Sequence, residues 1–160
     1  MLKARWENLV SQMKASEAAG MIIMPGPNMF YLTGLKMGLS ERPTVLVIKS
    51  GGRACFIMPR LEQQKGTDVS RKLKDQAIPL PVTVHSYTDE EGPKEAFNEV
   101  LSSESGFWAL EFKRCRILEY SLMKGAMAEF AWVDADEIVK ALRMVKDKSE
   151  LDSMQKAAEL

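Results

Sequence analysis

The sequence predicts an α/β domain, on three observations. Short apolar, β-branched runs such as Thr44-Val45-Leu46-Val47-Ile48 alternate with stretches whose apolar residues recur every three to four positions. Two of those runs are joined by Ser50-Gly51-Gly52-Arg53, a hairpin turn. The 160 residues are 46% hydrophobic and 28% charged, the balance of one ordinary globular domain.

The elements follow in order. Leu2, Trp6, Leu9, Val10 and Met13 form the apolar face of a first helix, which Gly20 is expected to close as a C-cap. Met21-Ile22-Ile23-Met24 is a buried strand stopped by Pro25-Gly26-Pro27. Residues 28–34 make a helical turn ending at Gly34, and residues 36–43 a loop. Strands follow at 44–48 and 54–58, then a polar helical stretch over 60–73 and a strand at 82–87 behind Pro79 and Pro81. Pro93 opens a helix carrying Ala96, Phe97, Val100 and Leu101. Gly106 separates it from a strand at 107–110. A helix over 117–124, ended by Gly125, leads to a last strand at 130–133. Asp136 caps a helix with Ile138, Leu142 and Val145 inward. Ser149-Glu150-Leu151-Asp152 reads as a capping box for a final helix reaching Leu160. That helix is expected to stand off the domain's own core.

Composition excludes several functions. Lys plus Arg and Asp plus Glu are 22 each, so no basic excess recommends nucleic acid. No apolar run approaches the roughly 18 residues of a membrane span, and the N-terminus has no apolar signal core. Cys55 and Cys115 lie far apart and form no metal-type cluster; reduced thiols and a cytoplasmic location are expected. His85 is the only histidine, without a local nucleophile frame, and reads as a structural strand residue. Metal spacings, G-x-G-x-x-G and the Walker pattern are absent. Asp89-Glu90-Glu91 is expected to favour the helix after Pro93 through its dipole, and Asp134, Asp136 and Glu137 to do the same later, with a divalent ion at this second cluster as the less favoured alternative. Met13, Met24, Met58, Met123 and Met127 read as core filler. The chemistry alone describes a domain without an active site.

Several segments in order resemble the N-terminal domain of the creatinase, prolidase and aminopeptidase P family. They are Pro27-Asn28-Met29-Phe30-Tyr31-Leu32-Thr33-Gly34; Ser40-Glu41-Arg42-Pro43 before its strand; Met58-Pro59-Arg60-Leu61-Glu62; Tyr87-Thr88-Asp89; Ala109-Leu110-Glu111; and Ala141-Leu142-Arg143-Met144-Val145-Lys146-Asp147-Lys148-Ser149-Glu150-Leu151. The turn and the last segment, a junction, are jointly specific. The resemblance implies a three-layer α/β/α, ribonuclease H-like fold with a mixed sheet. It implies a creatinase/prolidase N-terminal domain over 1–146, with 147–160 as linker and first helix of a catalytic domain.

The resemblance also implies a Xaa-Pro dipeptidase or aminopeptidase acting by metal-activated water. Its divalent metal pair, such as Mn, Co or Zn, and its catalytic residues would lie downstream. Neither a metal ligand nor a catalytic residue is placed in this chain. Implied partners are the chain's own catalytic domain, a second subunit in a homodimer, and proline-containing peptides in the full enzyme. Asn28, Tyr31, Gly34, Glu111 and Arg143 carry scaffold roles: Asn28 capping its turn, Tyr31 packing, Gly34 at positive φ, Glu111 pairing with Arg114 or Arg116, and Arg143 meeting a helix dipole and a neighbouring domain. Lys36, Glu41 and Arg42 sit on the loop that in this family lies near the subunit interface; a solvated loop with a Glu41–Arg42 pair is the equal alternative. A free-standing peptide- or protein-interaction domain and the N-terminal domain of a creatinase-type hydrolase stand as alternative functions.

Overall fold

The computed structural model describes residues 2–159. In chain order it contains α1 (Leu2–Ala15), β1 (Gly20–Ile23), α2 (Pro27–Thr33), β2 (Val45–Lys49), β3 (Arg53–Pro59), a 3-10 turn (Arg60–Glu62), α3 (Gln63–Asp75), β4 (Val82–Tyr87), α4 (Lys94–Leu101), β5 (Ser105–Leu110), α5 (Ile117–Ala126), β6 (Glu129–Asp134), α6 (Asp136–Met144) and α7 (Lys148–Ala158). The six strands form one mixed sheet in the order β4-β3-β2-β1-β5-β6. β1, β2 and β3 run antiparallel, while β1–β5, β5–β6 and β3–β4 pair in parallel.

Two apolar clusters cover the two faces, which makes three layers. On one face Trp6, Leu9 and Met13 of α1, Met29 and Leu32 of α2, Leu73 of α3 and Leu142 of α6 pack on Met21, Ile23, Leu46, Ile48 and Phe56. On the other, Phe97 and Val100 of α4 and Met123 of α5 pack on Ile22, Val45, Val47, Ile57 and Trp108. All five methionines read as core filler are buried.

Several expected boundaries move, each for a local reason. Gly20 does not cap α1 but opens β1, where a Cβ would stand 2.3 Å from the buried Trp108 ring, so only glycine fits there. The chain leaves α1 through Glu17 at φ 55°. Gly106 and Gly125 do not break their elements: they lie inside β5 and α5. Asp136 is the first residue of α6, behind Ala135 at the N-cap. Ile138 and Leu142 face inward as expected, but Val145 lies past the helix and is 77% exposed. The final helix is capped by Asp147, not Ser149: Asp147 Oδ1 accepts from Glu150 N–H at 3.0 Å, and Glu150 Oε2 accepts from Asp147 N–H at 3.0 Å. Two residues of register separate the two boxes, and Asp147 is also held by Arg5.

No described residue of α7 is buried, with Leu151 55% and Met154 56% exposed; Leu160 lies outside the described residues. Hydrogen exchange is therefore expected to be fast beyond the capped first turn of α7. Strong protection there in a dilute monomer would contradict this. Among the described residues no helix is long and apolar enough to cross a membrane.

Candidate functional site

β1, β3, β4, β5 and β6 end at the same side of the sheet, where β2 begins. Ile22 pairs with Leu110, so Glu111 stands just past the end of β5, beside the exit of β1. Only 2% of Glu111 is exposed. Its Oε2 accepts from Met24 N–H at 2.5 Å and its Oε1 from Asn28 Nδ2 at 2.5 Å. Asn28 Oδ1 in turn accepts from Arg143 Nη1 at 2.8 Å. An amide is the side chain that can give to a carboxylate and take from a guanidinium at once. Asn28 thus bridges the sheet end to α6 rather than capping α2, whose N-cap is Gly26. Glu111 forms no ion pair with either expected arginine. Arg114 Nη2 donates to Pro25 O at 2.8 Å, and Arg116 is bound to the buried Glu119. Burial pushes the Glu111 carboxyl above its ordinary 4.5, against the lowering effect of Asn28, Met24 N–H and Arg114.

Tyr31 belongs to the same assembly. Its hydroxyl donates to Leu142 O at 2.9 Å, and its ring lies 4.0 Å from the Arg5 guanidinium carbon. Arg5 also donates to Tyr31 O at 2.9 Å and to Asp147 Oδ2 at 2.8 Å, with Glu150 at 3.5 Å. Burial works against ionised Asp147, but bonds from Ser149, Glu150 N–H and Arg5 outweigh it and hold the carboxyl at about 2. Gly34 closes α2 at φ 74° and donates its N–H to Phe30 O, as its positive-φ role required. Asn28, Tyr31, Gly34, Glu111 and Arg143 therefore gather at one end of the sheet. Beside them opens a cleft of about 940 Å³ lined by Arg5, Phe30, Lys72, Arg143, Lys146 and Met154, among others. Sequence reasoning assigned Arg5 no role. Its spacing from the turn, 26 residues, gives no local signal.

The loop 35–43 is tied down at both ends. Leu35 is buried and donates its N–H to Thr33 Oγ1, and Tyr87 Oη donates to Pro43 O at 2.7 Å. Arg42 does not project freely: it binds Asp89 in a fork, Nε and Nη2 each at 2.7 Å, and reaches Glu41 at 2.9 Å. That fork holds Asp89 below the ordinary carboxylate range, so Asp89 serves the loop rather than the α4 dipole. Lys36 and Glu41 are exposed.

The later acidic cluster is used within the fold. Asp136 pairs with Lys113, Glu137 with Lys140, and Asp134 accepts from Asp136 N–H. Among the described residues no three His, Cys, Asp or Glu side chains gather as a metal site would need. His85 lies on the edge strand β4, 3.6 Å from Glu99. Cys55 and Cys115 are free, and burial pushes both thiols up to about 11.

A model of the creatinase/prolidase N-terminal domain matches residues 5–145. An uncharacterized peptidase of Staphylococcus saprophyticus is 28% identical over 158 residues, which is 96% of this chain and 40% of that protein. The fold is similar to a dipeptidase from Pyrococcus horikoshii OT3 (TM-score 0.75, 25% identity, 92% of this chain and 38% of that one). It is also similar to a superfamily domain of a dipeptidase from Streptococcus thermophilus (TM-score 0.70, 16% identity, 87% of this chain and 98% of that one). The chain spans 35–40% of the length of the first curated relatives it matches.

Proposed function

The chain belongs to the creatinase/prolidase N-terminal domain family, and from that premise we propose that it is the non-catalytic N-terminal domain of a metal-dependent Xaa-Pro dipeptidase or aminopeptidase. The observation that carries this is the junction. Glu111, Asn28, Tyr31 and Arg5 are spent on holding α6 and the start of α7, while the outward residues of that segment, Met144, Val145, Leu151 and Met154, are left bare. Buried polar groups are expensive to arrange. Their investment in fixing α6 and, through Arg5 and Asp147, the start of a helix α7 that buries nothing of its own supports a downstream domain as the body this segment serves.

Among the described residues no His, Cys, Asp and Glu side chains gather as a dinuclear metal centre would need, which supports assigning the Mn, Co or Zn pair to that downstream domain. The chain's own contribution would be dimer contacts and one wall of the cleft that takes proline-containing peptides. The loop 35–43, with Lys36, Glu41 and Arg42, is the segment offered to the partner subunit. Two free thiols support a cytoplasmic setting.

The reading frame beyond codon 160 tests the proposal. Ordered Asp, Asp, His, Glu and Glu ligands are expected there, and a stop codon would leave an interaction domain instead. In the longer protein, Arg42→Ala is expected to lower kcat/KM by about 1–3 kcal/mol with the dimer intact. Unchanged kinetics and an unchanged dimer would reduce Arg42 to an anchor for Asp89.

A further inference from the structure

The two edges of the sheet are built differently. β4 is guarded: Pro79 and Pro81 stand before it, and Thr83, His85 and Ser86 make half of its six residues polar. β6 is not guarded. Its register against β5 runs through six pairs without a bulge, and it contains no Pro, Lys or Gly. Its four inner residues, Phe130-Ala131-Trp132-Val133, are all apolar. Natural sheets blunt open edges with Lys, Pro or bulges, and an edge lacking all three is a template for another strand. On one face, Val133 is 38% and its neighbour Phe107 on β5 56% exposed. On the other, Trp132 lines a narrow cleft of about 260 Å³ with Phe112, Ile117 and Tyr120. Charge sits only at the two ends of β6, as Glu129 and Asp134, and neither forms a salt bridge among the described residues. Lys113 and Lys140, which feel the charge of Asp134, are already paired with Asp136 and Glu137, and Arg116 with Glu119.

We propose that β6 is a docking edge for an extended peptide strand of another protein, apolar at its centre and carrying Lys or Arg at both ends. Main-chain hydrogen bonds to the free edge supply the affinity, as in β-augmentation. Alternate side chains of the guest cover Val133 and Phe107 on one face and enter the Trp132 cleft on the other. Its terminal cations meet Glu129 and Asp134. A second copy of this chain fits poorly. Antiparallel pairing of two β6 strands about their middle sets Glu129 of each against Asp134 of the other, and like charges directly opposite are destabilising. The inference stands apart from the peptidase reading, since it uses neither the junction nor the loop 35–43.

The probe is a pair of capped hexapeptides, Lys-Val-Val-Thr-Val-Lys and its counterpart with Glu at both ends, matched to the six residues of β6 so that the two end charges fall on opposite faces as Glu129 and Asp134 do, titrated into the isotope-labelled chain and followed by NMR. Saturable shifts centred on residues 105–110 and 129–134 are expected with the Lys peptide, at an affinity of about millimolar or tighter and about tenfold weaker with the Glu peptide. Val133→Lys should abolish them while leaving the remaining amide positions in place; Ala131→Lys is the second variant should the first disturb the fold. Equal affinities, shifts elsewhere, or no saturable binding would overturn the proposal. So would concentration-dependent changes along β6 without peptide, which would assign the edge to a second copy.

Discussion

Replacing Glu111 with Leu is expected to cost the domain about 2–5 kcal/mol, read by urea unfolding. The residue is buried and serves two donors, the Met24 backbone N–H and the Asn28 amide. Leucine fills the space but accepts from neither, so two buried donors lose their partner, each at about 1–3 kcal/mol. Asn28 would then be free to turn, and Arg143 would lose its acceptor on α2. Glutamine offers one acceptor oxygen where two donors converge, so a smaller loss is expected for Glu111→Gln. The pH dependence has a definite sign. Burial raises the folded-state carboxyl above its ordinary 4.5, so the folded chain binds this proton more tightly than the unfolded chain. The stability this contributes is present below about 4.5 and is lost as pH rises through the folded value. Neither Leu nor Gln titrates there. The gap between wild type and either variant should therefore narrow from about pH 4 to about pH 7. A gap that widens with pH would show that the two hydrogen bonds outweigh burial.

The second large effect is expected at Trp6. Its side chain is wholly buried between α1 and the sheet, and its indole Nε1 donates to Leu32 O at 2.7 Å. Trp6→Ala removes the largest apolar group in that layer and leaves the C-terminal carbonyl of α2 short of a donor. A loss of about 3–5 kcal/mol is expected in chemical unfolding. Val10→Ala, on the same helix but only partly buried, is the control and should cost far less. Comparable losses at the two positions would mean that α1 acts through helix propensity rather than through Trp6.

The strands were legible because their apolar runs are short, most of them β-branched or bounded by Pro or Gly, and each run proved to be a strand within a residue or two. Glycine was the least reliable marker. At Gly34 it supplies a left-handed cap, as its position after an apolar turn suggested, but at Gly20 it makes room for the Trp108 ring. That need arises from a residue 88 positions away and leaves no trace nearby. The site divides in the same way. Asn28, Tyr31, Gly34, Glu111 and Arg143 were visible as motif residues, each with a local role attached. Gly34 keeps its local role, but Asn28, Tyr31, Glu111 and Arg143 act at long range: Asn28 reaches Glu111 and Arg143 across 83 and 115 residues. A single sequence carries no record of such pairings. Arg5 and Asp89, which complete the junction and the loop anchor, have partners 142 and 47 residues away, so the sequence suggested only a helix-dipole role for Asp89 and none for Arg5.

The division of labour proposed for this domain, scaffold here and chemistry downstream, meets its most direct test in hydrolysis of Xaa-Pro dipeptides by the 160-residue chain. The assay is run with Mn²⁺, Co²⁺ and Zn²⁺ each added in turn. No turnover above the metal-only control is expected, because His85 stands on the edge strand β4 beside Glu99, while Asp136, Glu137 and Glu111 lie toward the opposite side of the sheet and are tied to Lys113, Lys140 and Asn28. Turnover that survives purification and disappears in His85→Ala would contradict it and place a catalytic centre in this domain.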